Sequence, residues 1–198
     1  MRQSVDEWLA AWSRRHGGYD VSRSLVVRRW LRFVWAVSAP FARAPADAVS
    51  AMGVASAAAA VVVAPSRIAG GFVVATGVLD GVDGAVALRR GETSARGAFV
   101  DTVADRITDA LFLLALARSG ARRSLVVAAA LGTAGLEVQR ALARRRGDPV
   151  TVVTPGERPF RVAYVALGLV SAPSAGAAVV AGTTLAGALA LYRERRDR

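Results

Sequence analysis

Six apolar segments separated by short polar stretches constrain the fold of this chain more than any other feature. Five of them cover residues 47–64, 68–88, 97–117, 124–143 and 158–172, and the sixth follows a predicted turn at 173–176 and ends near Tyr192. About 20 apolar residues span a bilayer as a helix, and the last two segments are shorter than that. Hydrophobic residues make up 54% of the chain, yet its formal net charge is +11. The sequence therefore predicts an all-α, polytopic integral membrane protein with six transmembrane helices.

The positive charge is carried entirely by arginine, and the arginines cluster at the ends of the apolar segments. Domains that bind nucleic acid instead present a continuous basic surface, so no nucleic-acid partner is expected. If the N-terminus is cytoplasmic, most arginines fall in cytoplasmic flanks, as the positive-inside rule requires. The pattern predicts a multi-pass protein of the cell membrane with both termini in the cytoplasm. The absence of cysteine excludes disulfides and thiolate metal ligands.

Three regions follow from this pattern: a leader at 1–43, a six-helix domain at 44–192 and a basic cytoplasmic tail at 193–198. The leader contains apolar residues at helical spacing, at Val5, Trp8, Leu9 and Trp12, and a second apolar and basic run at 25–37 that includes Trp30 and Trp35. Tryptophan and arginine together favour the headgroup layer, which predicts an amphipathic juxtamembrane segment on the cytoplasmic surface. The alternative is a small helical hairpin packed on the cytosolic side.

Four carboxylates, Asp80, Asp83, Asp101 and Asp105, interrupt the second and third apolar segments. The first pair is spaced i, i+3 and the second i, i+4, so each pair shares one helix face. Carboxylates gathered in one pocket repel each other unless cations are present. Hard carboxylate oxygens suit Mg²⁺ or Mn²⁺, and the four aspartates are the predicted metal ligands.

Other interpretations of these aspartates remain open. They can cap helices or pair with neighbouring arginines. An acidic cluster can also bind cations in a membrane transporter or scaffold, although the chain shows no convincing internal repeat of the kind common in transporters. A soluble, metal-dependent prenyl-transfer enzyme also uses aspartate-rich helices, but the apolar segments argue against it.

The aspartate pattern resembles the signature of the CDP-alcohol phosphotransferases. That signature has the form D-x2-D-G-x2-A-R, then eight or nine residues, then G-x3-D-x3-D. The matching residues here are Asp80, Asp83, Gly84, Ala87, Gly97, Asp101 and Asp105. Eight residues separate the arginine position of the signature from Gly97. The arginine position holds Leu88 and is followed by Arg89, so the alternative of a catalytically impaired family member also stays open.

Two weaker resemblances accompany the signature. Pro45, Ser50 and Gly53 resemble the P-N-x-x-T-x-x-G that opens the first helix of the family, although Ala46 replaces the asparagine. The run from Glu157 to Arg161 is similar to the E-R-P-E-R-L of actinobacterial phosphatidylinositol-phosphate synthases. Leu142 and Arg144 depart from the K-A-R-A-E run of that subfamily, while Arg140 can stand for its lysine.

The resemblance implies transfer of a phosphatidyl group from CDP-diacylglycerol to a small alcohol, with release of CMP, by a homodimer that holds two divalent ions. It implies that Asp105 acts as the general base and is also a metal ligand, together with the other three aspartates. The implied donor-binding residues are Gly84, Ala87, Arg89, Gly97 and Ser50. The implied ligands of an acceptor phosphate are Arg158, Arg161 and Arg140. Inositol phosphate is slightly favoured over glycerol phosphate as acceptor.

Overall fold

The computed structural model describes residues 4–15, 18–92, 94–146 and 154–196. Within these ranges the chain forms eight α-helices and no β-strand, which confirms the all-α prediction. In chain order they are α1 (Val5–Arg15), α2 (Leu25–Val37), α3 (Ala46–Val63), α4 (Ile68–Arg90), α5 (Ala95–Arg118), α6 (Arg123–Arg146), α7 (Arg158–Val170) and α8 (Pro173–Arg196). A 3₁₀ turn at Val21–Arg23 precedes α2.

The chain divides into two compact units. The first comprises Met1–Ala55 and Ala75–Thr108, and its core includes Leu31, Val34, Val49, Val82 and Val86. The second comprises Ser56–Val74 and Asp109–Arg198, and its core includes Val73, Phe112, Leu116, Val165 and Val180. Each unit therefore has an apolar core of its own.

The leader forms a helical hairpin from α1 and α2, the alternative noted from the sequence. Trp8 is buried, donates its indole N–H to the carbonyl of Leu31 at 3.0 Å and stacks on Trp35 with ring centroids 6.4 Å apart. The side chain of Asp20 caps the intervening 3₁₀ turn, and Ser24 caps α2. Polar side chains that accept hydrogen bonds from free N–H groups favour helix starts at these positions. The apolar face of α1 is thus used for packing within the hairpin.

Four helices in the described part of the chain are long and apolar enough to cross a membrane: α3, α4, α6 and α8. Their outward side chains include large apolar residues that are more than half exposed, such as Val62, Leu131 and Leu185. Soluble proteins rarely expose so much apolar surface, whereas lipid-facing helices do. The six-span prediction is therefore supported for four segments, and the other two differ for separate reasons.

The third predicted span corresponds to α5, which has 24 residues and is therefore long enough to cross a bilayer. Four charged residues lie within its apolar run and set it apart from the other four helices: Asp101, Asp105, Arg106 and Asp109. The apolar residues Phe99, Val103 and Ile107 recur every four positions and are all exposed, so they form one apolar stripe. This stripe is suited to contact lipid while the carboxylates face elsewhere.

The fifth predicted span corresponds to α7, which has only 13 residues and is about 20 Å long. The predicted turn at 173–176 is wrong, because α8 begins at Pro173 and continues as one helix. Proline is favoured in the first turn of a helix, where its missing N–H has no helical partner in any case. The early start gives the last helix 24 residues, enough to cross a bilayer.

Glycines let α7 and α8 approach closely within the second unit. A Cβ atom added at Gly168 would lie 2.8 Å from the Cα of Gly176, and one added at Gly176 would lie 2.7 Å from the Cα of Gly168. Because the opposing atoms belong to the backbone, a side chain at either position must push the helices apart. Small residues at such crossings allow the backbone contact that stabilises helix pairs in membranes.

A Gly168→Ala variant should therefore unfold more easily in detergent, by about 2 kcal/mol, the cost typical of overpacking a core. Gly182→Ala in α8 is the matched control, because a Cβ there meets nothing within 4 Å. The measurement is the thermal unfolding midpoint of the two purified variants. Equal midpoints would show that α7 and α8 are not in backbone contact at Gly168.

Candidate functional site

Three of the predicted metal ligands meet in the first unit. Asp80 lies in α4, and Asp101 and Asp105 lie one turn apart in α5. One carboxylate oxygen from each lies within 4.8 Å of those from the other two, so the three can hold a metal ion. All three residues are partly exposed, which leaves the group accessible to solutes. The helical spacing predicted from the sequence accounts for the shared face of Asp101 and Asp105.

The start of α5 sets the register of this group. The hydroxyl oxygen of Ser94 accepts a hydrogen bond from the N–H of Gly97 at 3.1 Å, in the manner of a helix N-cap. A Cβ at Gly97 would lie 3.4 Å from that hydroxyl, so glycine leaves room for the cap. In α4, Gly84 and Ala87 are half-buried and are the small residues that follow the first aspartate pair.

Asp83, the remaining predicted ligand, lies outside the group of three. It is buried, and one of its carboxylate oxygens accepts a hydrogen bond from the hydroxyl of Ser50 in α3 at 2.6 Å. The negative charges of Asp101 and Asp80 also act on it. Ser50 therefore holds the Asp83 carboxylate in place, a contact between residues 33 positions apart that the sequence does not reveal.

The carboxylate group needs a counter-charge. Like charges this close disfavour each other in the ionised state, and an intramembrane carboxylate is costly unless it is paired or coordinates a cation. Arg106 lies 3.9 Å from Asp105, through a partly exposed contact. A hard divalent cation matches both the oxygen donors and the excess negative charge. The donor set of this site therefore fits Mg²⁺ or Mn²⁺.

The arginines that follow Leu88 are both engaged by neighbouring groups of the first unit. Arg89 donates from Nε to the hydroxyl of Ser38 at 2.8 Å and from Nη2 to the carbonyl of Trp35 at 2.7 Å, and its guanidinium lies 3.6 Å from the centre of a Trp35 ring. Arg90 donates to both carboxylate oxygens of Glu92, which lowers the pKa of that carboxyl. In this arrangement Arg89 links the end of α4 to the C-terminal end of α2.

The three predicted acceptor-phosphate ligands lie in the second unit, together with three carboxylates. Arg140 forms a bidentate pair with Glu157. Arg161 is buried and donates to the carbonyl of Gly156 at 2.8 Å, to Asp109 at 2.9 Å and to Glu137 at 3.0 Å. Arg158 approaches Asp109 at 3.9 Å. The charges of this arginine cluster balance, which is typical of a buried ion network.

Glu137 and Ser38 are the members of these networks that sequence reasoning missed. Glu137 is the only carboxylate in α6, and an isolated acid within an apolar helix is itself a sign of a buried partner. Ser38 follows α2 and carries no such sign, because its bond to Arg89 joins residues 51 positions apart. The sequence therefore indicated a buried partner for Glu137, whereas it gave no indication of the bond between Ser38 and Arg89.

The comparison with known families shows the family to which the chain belongs. The family model for CDP-alcohol phosphatidyltransferases matches residues 46–192, which include the aspartate group and the arginine cluster. The chain belongs to the CDP-alcohol phosphatidyltransferase family. No curated protein matches the chain. The family consists of transferases of phospholipid biosynthesis, so a CDP-alcohol substrate and a lipid environment follow from membership, and the leader lies outside the matched residues.

Proposed function

We propose that this protein transfers a phosphatidyl group from CDP-diacylglycerol to a small alcohol and releases CMP. The observation that carries the proposal is the meeting of Asp80, Asp101 and Asp105 within 4.8 Å, inside the residues that match the family. The acceptor hydroxyl oxygen would form a bond to the phosphorus that bears diacylglycerol. The phosphorus–oxygen bond to CMP would break, and CMP would leave with the electron pair.

Asp80, Asp83, Asp101 and Asp105 are the proposed ligands of two divalent ions. Bound there, Mg²⁺ or Mn²⁺ would neutralise the donor diphosphate and the charge that develops on departing CMP. Asp105 is the proposed general base that takes the proton of the acceptor hydroxyl. Asp83 is held by Ser50, so its ligand role would require a change of that hydrogen bond. The three aspartates of the group are partly exposed, which supports access by a nucleotide.

The donor nucleotide is proposed to lie along the small residues of α4 and α5. Gly84, Ala87 and Gly97 present little side chain, so a nucleotide can approach the helix backbone. Ser50 orients Asp83 in the structure and is proposed to act on the donor through it. A contribution of Arg89 to the donor phosphate would require release from Trp35 and Ser38.

Arg158, Arg161 and Arg140 are proposed to bind the phosphate of the acceptor. The Nε groups of Arg140 and Arg161 have no hydrogen-bond partner among the described residues, so each guanidinium keeps a donor for an added anion. A cavity of about 10 Å³ beside Arg161, lined also by Asp109 and Thr133, is only about the size of one water. A phosphorylated acceptor would thus have to replace carboxylate partners of the arginines. Inositol phosphate is the first acceptor to test and glycerol phosphate the second.

The proposed setting is the cell membrane, with six spans, both termini in the cytoplasm and a homodimeric assembly. The exposed apolar stripe of α5 supports a fifth spanning helix beside the four that are long and apolar enough. The arginine distribution supports the orientation. In this topology the aspartate group lies at the cytoplasmic ends of α4 and α5, where a soluble nucleotide product can leave.

The test is CMP release by the purified protein in detergent with CDP-diacylglycerol, Mg²⁺ or Mn²⁺, and a panel of acceptors: inositol phosphate, glycerol phosphate and serine. We expect release with one acceptor, loss of release when the metal is chelated, and recovery when the metal is returned. The expected loss is at least about 10³-fold, because a metal ion supplies several kcal/mol of charge stabilisation.

Two other outcomes would contradict the proposal. Donor binding without CMP release for any acceptor would indicate a catalytically impaired family member, for which Leu88 and the engagement of Arg89 by α2 are the structural reasons. Metal-dependent ion flux through reconstituted protein without CMP release would indicate a cation transporter instead.

A further inference from the structure

Helix α2 has a second apolar surface that the hairpin does not use. Its packed face contains Leu31 and Val34, which are buried in the core of the first unit. On the other side Val26, Trp30 and Phe33 are 79%, 39% and 48% exposed. Spacings of four and three residues place these three on one face of the helix. The aromatic rings of Trp30 and Phe33 contact each other with centroids 5.7 Å apart, so the exposed surface is continuous.

A basic strip runs beside this apolar surface. Arg28, Arg29 and Arg32 are all exposed, and their helical positions lie between the apolar surface and the far edge of the packed face. The outer side of α2 thus combines aromatic side chains with three cations. This combination is typical of helices that lie in the headgroup layer of a membrane.

The contacts of Arg89 place α2 at the level where headgroups are found. Arg89 is the penultimate residue of α4, a candidate spanning helix, and it binds the carbonyl of Trp35 and the hydroxyl of Ser38 at the end of α2. The C-terminal end of α2 is therefore fixed to the end of α4. The end of a spanning helix lies at the membrane–water boundary.

We propose that the outer face of α2 docks on the surface of an anionic lipid bilayer. Val26, Trp30 and Phe33 enter the boundary between headgroups and acyl chains, and Arg28, Arg29 and Arg32 contact lipid phosphates. Arginines near a membrane surface are attracted to anionic lipid headgroups, so three of them on one strip give a preference for anionic lipid. This surface lies in the leader, outside the residues that match the family, and its role does not depend on the transfer reaction.

The test uses the absence of cysteine from the chain. A single cysteine is introduced as Phe33→Cys, labelled with an environment-sensitive dye, and the full-length protein is reconstituted into vesicles of phosphatidylcholine with or without phosphatidylglycerol. Arg32→Cys is the matched control, because both positions are exposed on the same helix. Unchanged thermal unfolding midpoints of both variants confirm that the fold is kept.

In anionic vesicles we expect a blue-shifted dye at position 33 that brominated lipid quenches and aqueous iodide does not. The dye at position 32 should be quenched by aqueous iodide and not by brominated lipid. The lipid quenching at position 33 should fall in neutral vesicles, and also when Arg28, Arg29 and Arg32 are all replaced by Gln. Equal iodide quenching at both positions would overturn the proposal. Protection from both quenchers that grows with protein density would overturn it too, in favour of a second protein copy on this face.

Discussion

An Asp101→Asn variant should lose phosphatidyl transfer by about 10³-fold or more while it remains folded in the membrane. The carboxylate of Asp101 supplies one of three oxygens that lie within 4.8 Å of each other. Asparagine keeps the size and one oxygen of the side chain but removes its charge. The remaining ligands then hold a divalent cation more weakly, and the several kcal/mol of charge stabilisation that the cation supplies is lost.

Asp20→Asn is the control for this charge change. Asp20 is exposed in the leader and caps the 3₁₀ turn, and asparagine is an equally good cap, so we expect unchanged activity. Binding of Mn²⁺ to the purified protein is measured alongside CMP release. Loss of both in Asp101→Asn, with both retained in Asp20→Asn, supports the metal site. Full activity of Asp101→Asn would exclude Asp101 as a ligand.

The helices of this protein follow from local sequence more closely than its contacts do. Apolar runs bounded by charged residues or proline place α3 to α6 within three residues of their observed bounds, because both ends of such runs are chemically marked. The spacing of Asp101 and Asp105 puts them on one face for the same local reason. Pro173 is the exception, since proline is compatible both with a turn and with the first turn of a helix.

The site contacts are less predictable because they join distant residues. Ser50 binds Asp83, Ser38 binds Arg89, and Glu137 binds Arg161, each pair being brought together only by packing. The leader shows the same limit of prediction from sequence. Its tryptophans predict a membrane-facing surface, yet Trp8 and Trp35 stack within the hairpin and only Trp30 is left well exposed. Residue type indicates where a tryptophan can lie, but only the packing decides which one is exposed.

The second large effect is expected at Arg161. Its buried guanidinium donates to both Asp109 and Glu137, so Arg161→Met would remove the cation that these two carboxylates share and leave Arg158 at 3.9 Å from Asp109. Breaking a buried ion network in this way costs about 3–5 kcal/mol. We therefore expect Arg161→Met to lower the thermal unfolding midpoint strongly. Arg23→Met, which removes an exposed arginine paired with Asp20, should stay within about 0.5 kcal/mol of the parent.

A triple variant separates the structural contribution of Arg161 from its proposed contact with the acceptor. Arg161→Met combined with Asp109→Asn and Glu137→Gln removes the uncompensated charges, so much of the lost stability should return. If Arg161 also binds the acceptor phosphate, the triple variant should still show a raised KM for a phosphorylated acceptor, although its stability has returned. If the KM returns to the parent value together with the stability, Arg161 acts only through the fold, and Arg158 and Arg140 are then the arginines left to bind the acceptor.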